Sequence, residues 1–168
     1  MVLTPQGLRF RGRLYPCSIG RSGVTADKRE GDGATPAGVY RIIGCLYRPD
    51  RMAPPCDWAV PIGPGDLWSD DPRHEDYNLM VRAPYPASAE RLWRGDRLYD
   101  LILLTDWNWP RAERGRGSAI FLHRWCGPGR PTEGCVALAP GDLRRITGQI
   151  GFGARLIVPE RQAGTAGR

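Results

Sequence analysis

A histidine and a cysteine stand twelve residues apart in the segment Phe121-Leu-His-Arg-Trp-Cys-Gly-Pro-Gly-Arg-Pro-Thr-Glu-Gly-Cys135-Val-Ala-Leu. A thiol becomes a strong nucleophile when a base takes its proton, and imidazole is the usual base. The chain has two histidines. His74 lies in the polar run from Ser69 to Asp76 and reads as a solvated loop residue, which leaves His123 as candidate base and Cys135 as candidate nucleophile. Gly134, directly ahead of the cysteine, lets the backbone approach a ligand closely. The N–H groups around Gly134 and Cys135 could hold an oxyanion during acyl transfer. Thr132 could hydrogen-bond across the loop and keep its shape. His123, Cys126 and Cys135 are also three conceivable zinc ligands, but no C-x-x-C pair accompanies them; neither a metal nor a cofactor is expected.

Two strands must position this pair. Ala119–His123 reads as a strand with His123 at its C-terminal end, and Cys135–Leu138 as a second one. Between them Gly127-Pro128-Gly129 and Pro131 make a tight loop that could bring the two side chains face to face. With 22 Gly, 16 Pro and short apolar runs, the whole chain reads as mainly β, or α+β by strict count. Leu8–Arg11 and Leu14–Ile19 form an expected hairpin turning at Gly12. Further strands are expected at Val39–Tyr47, Leu79–Arg82, Tyr99–Leu104 and Arg155–Val158. Two short helices are expected. Ala87–Arg94 lies between Pro86 and Gly95, and Pro140–Gln149 carries Leu143, Ile146 and Ile150 on one face. Pro49 to Pro64 contains five prolines and reads as a long irregular loop, either a surface connection or a wall beside a site. Residues 1–158 are expected to form one domain and 159–168 a disordered tail.

Composition narrows the function classes. No apolar stretch approaches the roughly 18 residues that span a membrane. The net charge is +6 and Lys28 is the only lysine, but the arginines are scattered from Arg9 to Arg168. No dense basic block suggests a nucleic-acid partner; guanidinium groups would suit an anionic, carboxylate-bearing substrate. The five cysteines, Cys17, Cys45, Cys56, Cys126 and Cys135, are an odd number without the spacing of a disulfide scaffold. Met1-Val-Leu-Thr-Pro-Gln-Gly7 has no charged segment followed by an apolar one, so no secretory signal is read there. A monomer is expected.

The motif residues together resemble the YkuD-type L,D-transpeptidases, enzymes of peptidoglycan cross-linking. That family carries a histidine at a strand end, then a loop, then Ser/Thr-x-Gly-Cys, here His123 and Thr132-Glu133-Gly134-Cys135. Its second signature, Thr-Pro-x-Gly-aromatic after a strand, corresponds to Thr35-Pro-Ala-Gly-Val-Tyr40 behind Cys17–Gly23. The resemblance spans about Leu14 to Val158. It implies a β-sandwich or barrel-like fold and a thioester on Cys135. It also implies a periplasmic address, and peptidoglycan stem peptides and glycan strands as partners. The acceptor would be the side-chain amine of a diaminopimelate. Two departures bear on the donor. Glu133 replaces a histidine common ahead of Gly-Cys, and Ala137 replaces a common Arg or Asn. The Thr-x-Gly-Cys-Val-Ala-Leu pattern is similar to a compact proteobacterial branch, part of which makes 1,3 rather than 3,3 cross-links. A hydrolase acting on stem peptides and a non-catalytic binding module are the alternatives. Tyr77, Asn78, Arg82, Trp107, Trp109, Arg124 and Trp125 flank expected strand ends and are the candidate substrate contacts.

Overall fold

The structure, a computed structural model, describes residues 1–160; the expected tail lies outside the described residues from 161 onward. The chain opens with β1 (Val2–Thr4), β2 (Gly7–Phe10) and β3 (Arg13–Tyr15). The turn between β2 and β3 puts Arg11 and Gly12 at φ 48° and 74°, the left-handed pair that a tight hairpin demands. After Pro16 come β4 (Cys17–Ser18), β5 (Val24–Thr25) and β6 (Thr35–Pro36). The longest strand, β7 (Gly38–Tyr47), follows, then β8 (Ala59–Pro61). A small three-stranded sheet is built from β9 (Asp66–Ser69), β10 (Met80–Arg82) and β11 (Ala89–Arg91), in the order β10-β9-β11. The chain ends with β12 (Leu101–Thr105), β13 (Phe121–Arg124), β14 (Val136–Leu138), helix α1 (Pro140–Thr147) and β15 (Arg155–Val158).

The main sheet runs β3-β2-β1-β15-β7-β12-β13-β14-β4, with β8 also on β7. Its two outermost strands, β3 and β4, are joined by Pro16 alone, so the sheet must curl until its edges meet. The barrel-like architecture inferred from the sequence is therefore present. Side chains alternate between faces along each strand. Leu101, Leu103, Leu122, Val136 and Leu138 enter the main core, which α1 covers with Leu143 and Ile146. Full burial of each such side chain contributes about 1.5–3 kcal/mol. On the other face Leu46, Ile102, Phe121 and Cys135 meet Trp68 of the small sheet and Leu92, which directly follows β11. Trp68 packs edge-on against Phe121 at 4.9 Å between ring centroids.

Two expectations are corrected. The segment expected to be a helix at Ala87–Arg94 is instead β11, paired antiparallel with β9 so that Glu90 lies opposite Trp68. Proline and glycine bracket it as they would a helix, but closing the small sheet takes precedence. The proline-rich stretch from Pro49 to Pro64 is not a wall beside the site. It contains β8, parallel to β7, and packs Met52, Cys56 and Trp58 against the main core. Cys45 and Cys56 are both free thiols, Cys45 within the main core and Cys56 packed against it.

Candidate active site

Strands β13 and β14 run parallel, with Leu122 opposite Val136 and His123 opposite Ala137. Period-two alternation therefore puts Phe121, His123, Cys135 and Ala137 on one face, with His123 diagonal to Cys135. Both candidate residues are buried, and both line one cleft of about 530 Å³. The Cys135 S–H donates to the Ala119 carbonyl at 3.0 Å, and the Sγ accepts the Phe121 N–H at 3.4 Å. Ala119 sits at φ 53°, unusual for a residue with a side chain. Its N–H is held at 3.0 Å by the Asn78 side-chain oxygen.

His123 Nδ1 lies 2.7 Å from the Arg124 carbonyl. A carbonyl only accepts, so Nδ1 carries the proton and Nε2 is left bare, the tautomer a general base needs. The ring of Tyr99 meets the imidazole edge-on at 5.3 Å. Burial holds the imidazole down at about 4, with the Arg124 carbonyl pulling the other way. Burial pushes the Cys135 thiol up to about 12, although the Phe121 N–H favours the thiolate. At neutral pH both groups are uncharged. The pair rests as thiol and imidazole, not as an ion pair, and the proton would move only as the sulfur attacks.

The loop ahead of Cys135 is fixed by the Thr35 segment. The Thr35 hydroxyl accepts the Gly20 N–H at 2.9 Å and donates to the Gly134 carbonyl at 2.8 Å. Gly134 has φ 143°, and a Cβ there would stand 2.8 Å from the Ala34 carbonyl oxygen. The Thr132 hydroxyl donates to the Cys135 carbonyl at 2.6 Å and accepts the Gly134 N–H at 3.1 Å. Its backbone bonds to Ile19 and Arg21 on either side. The two sequence signatures thus form one unit: the Thr-Pro stretch braces the Gly-Cys turn.

Three segments supply most of the charged and aromatic wall of the cleft, which Asp70, Ser118, Ala119 and Ile120 complete. Lys28, Glu30 and Gly31 come from the β5–β6 connection, and Glu90, Arg94, Leu98 and Tyr99 from β11 and the chain leading to β12. Trp125, Cys126 and Arg130–Glu133 come from the crossover between β13 and β14. Lys28 is buried, and its ammonium donates to Asp32 at 2.5 Å and to the Arg29 carbonyl at 2.8 Å. Asp32 in turn accepts the Arg29 and Ala34 N–H groups, and these bonds with Lys28 hold its carboxyl below the ordinary range against the opposing effect of burial.

Of the residues expected in the site, His123, Cys135, Thr132 and Trp125 are brought together at this cleft, with Gly134 behind the cysteine. The other substrate candidates have different partners. Tyr77 is buried and bonds to Glu30 and to the Gly117 N–H. Asn78, at φ 63°, accepts from Trp68 Nε1 and Ala119 N and donates to the Trp107 and Asn108 carbonyls, so it cross-links the scaffold. Trp107 packs between Tyr40 and Arg116. Arg82 pairs with Asp66 on the outside, Arg124 lies 4.0 Å from Asp100, and Trp109 is exposed at a separate depression. Proximity to a strand end does not tell which face a side chain takes, and that is why these five named contacts and Trp109 fall elsewhere. His74 is half-buried, its Nδ1 2.8 Å from the Tyr85 hydroxyl. Glu90, Tyr99 and Arg94 were not foreseen. Lys28 carried one signal, as the single lysine among 24 basic residues.

The YkuD model, the L,D-transpeptidase catalytic domain, matches residues 2–158. The chain belongs to this family. Among solved structures it is similar to an L,D-transpeptidase from Mycobacterium smegmatis, at 13% identity and a TM-score of 0.42. That likeness covers 88% of this chain and 49% of the mycobacterial one, so the chain spans about half the length of that L,D-transpeptidase. No curated protein matches it. No helix among the described residues is long and apolar enough to cross a membrane.

Proposed function

We propose that this L,D-transpeptidase domain is a cysteine acyltransferase. It would move a donor stem peptide through a Cys135 thioester to the side-chain amine of an acceptor diaminopimelate. One observation carries the reading: Cys135 and a His123 with a bare Nε2 share one sheet face at the floor of one cleft. As the sulfur attacks the donor carbonyl, His123 takes the thiol proton and then gives it to the leaving amine. The backbone N–H groups around Gly134 and Cys135 are the candidate oxyanion donors. The acceptor amine then attacks the thioester, forming a C–N bond as the C–S bond breaks.

The product is a 3,3 cross-link if the donor carbonyl is that of diaminopimelate, and a 1,3 cross-link if it is that of L-Ala. The reading adopted is the 1,3 product, because the Thr-x-Gly-Cys-Val-Ala-Leu pattern with Glu133 ahead of Gly-Cys resembles the compact branch. The substrate implies a periplasmic site of action.

Incubation with disaccharide-tetrapeptide, followed by intact-mass and muropeptide analysis, tests the reading. The expected result is a transient adduct on Cys135 and cross-linked dimers, both lost in Cys135→Ala. Shortened monomers without dimers would make the domain a hydrolase, and dimers from Cys135→Ala would overturn the thiol mechanism.

A further inference from the structure

Glu90 has no part in the path above, yet it lines the same cleft on the wall formed by β11. Its Oε1 accepts the Tyr99 hydroxyl at 2.8 Å, and Tyr99 is the residue whose ring meets His123. The nearest cation is Arg94, whose Nη1 is 3.6 Å from Oε1, too far for a hydrogen bond. Arg94 is already engaged: its Nε and Nη2 donate to Asp96 at 2.5–3.1 Å. Arg94 is thus shared: it hydrogen-bonds Asp96 and faces Glu90 across a looser ion pair at 3.6 Å. No described residue donates a hydrogen bond to its Oε2. A second carboxylate, Asp70, lines the cleft with a buried Oδ1 that has no partner. The field of Glu90 reaches Cys135, where it opposes the thiolate.

We propose that Glu90 receives the positively charged amine of the acyl acceptor and holds it beside the Cys135 thioester, with Asp70 adding to the negative field. The assignment rests on the thioester reading above. Glu90 and Asp70 with the one shared guanidinium of Arg94 leave this wall with one more carboxylate than cation, and the acceptor is the substrate that brings a further positive charge. An ammonium cannot attack until it loses a proton. Burial raises the carboxyl of Glu90 above its ordinary range, which makes it a better proton acceptor than a solvated carboxylate. Glu90 takes the extra proton of the ammonium. The neutral nitrogen attacks the thioester carbon, the C–N bond forms and the C–S bond breaks. His123 passes the second nitrogen proton to the departing sulfur, restoring the Cys135 thiol, and Glu90 releases its proton to water. A neutral nucleophile gains nothing from Glu90.

Glu90→Gln keeps an oxygen for the Tyr99 hydroxyl and removes only the charge. The acyl-enzyme formed from disaccharide-tetrapeptide is followed by intact mass while it decays with two nucleophiles at pH 7. One is a disaccharide-tripeptide ending in diaminopimelate, and the other is hydroxylamine, which is neutral there. In Glu90→Gln, acylation should be no slower than in the wild type, since the lost charge opposed the Cys135 thiolate, and decay with hydroxylamine serves as the reference for decay with the amine. Decay with the cationic amine should fall about tenfold or more, the equivalent of one lost charge contact. Equal slowing with both nucleophiles, or no slowing with either, overturns the proposal.

A binding arm does not need turnover. Cys135→Ser protein is titrated by NMR with the same tripeptide and with its amine-acetylated form. The charged form should bind about tenfold more tightly, and Glu90→Gln on that background should erase the preference. Equal binding of the two forms overturns the assignment to Glu90. Preferential binding of the charged form without any adduct in the active protein would instead count against the thioester reading.

Discussion

At the scale of single residues, the distinctive property of the site is that both members of the pair are neutral. With burial holding the thiol at about 12 and the imidazole at about 4, the resting equilibrium lies on the side of the neutral pair. The pH–rate profile should show this. A free His123 would lose its role as base near its ordinary value of 6.5. Here kcat/KM should stay level through 6.5 and decline only as the pH nears 4, because protonation of Nε2 is delayed by burial. An inflection at 6.5 would contradict the neutral pair. Gly134 gives a second residue-level expectation. In Gly134→Ala the new methyl would meet the Ala34 carbonyl at 2.8 Å while the backbone is forced to hold φ 143°. Stability should fall by roughly 1–3 kcal/mol in a denaturant titration. Thioester formation should be lost even under conditions where the variant remains folded, because the turn carrying the sulfur must shift.

At the scale of elements, the brace between the two signatures is the part most open to test. Thr35→Val keeps the shape of the side chain and removes the hydroxyl that satisfies both Gly20 N–H and the Gly134 carbonyl. Leaving these buried groups unpaired should cost about 1–3 kcal/mol each at most. Thermal melting gives the stability loss, and acylation kinetics should show a lower rate with little change in donor KM. This is also where the sequence was most and least legible. The main strands were readable because Ala119–His123 and Cys135–Leu138 are short apolar runs on either side of a Gly- and Pro-rich loop. The hairpin at Gly12 was readable because its turn chemistry is local. β11 was not, since Pro86 and Gly95 are equally consistent with a capped helix and only pairing with Trp68's strand decides the matter. For the same reason Glu90, Tyr99 and Arg94 could not be placed in the site. Their address depends on how the small sheet lies over the large one, and no local pattern encodes that. Thr35 and Gly134, by contrast, were flagged by motif, and the structure supplies the reason: one hydrogen bond links them across 99 residues of chain.

At the scale of the whole molecule, the same buried pair shapes the dependence of folding on pH. The His123 imidazole is protonated less readily in the folded chain than in the unfolded one. The unfolded state therefore gains protons first as pH falls, and stability is lost from 6.5 downward until about 4. From that shift, His123 accounts for about 3 kcal/mol of the acid-side loss, an order-of-magnitude figure. Cys135 acts at the other end. Its raised thiol pKa means that unfolding is favoured as pH rises above 9 toward 12. Urea titrations from pH 4 to 11 should trace a plateau between 6.5 and 9. In His123→Gln the acid-side decline should become shallower while the alkaline one stays.

The curled sheet has one more consequence. Its circumference is fastened at Pro16, where the first edge strand passes directly into the last, and the last one is the outer neighbour of β14. β4 pairs only Cys17 and Ser18 with β14, and the Cys17 thiol sits against the Leu8 backbone N–H. The strand that follows the candidate nucleophile is thus secured by a clasp, and the clasp continues directly from the N-terminal hairpin. A proteolytic nick at that clasp would leave every cleft residue in place in the sequence, yet it would open the hoop beside the strand that carries Cys135 into the cleft.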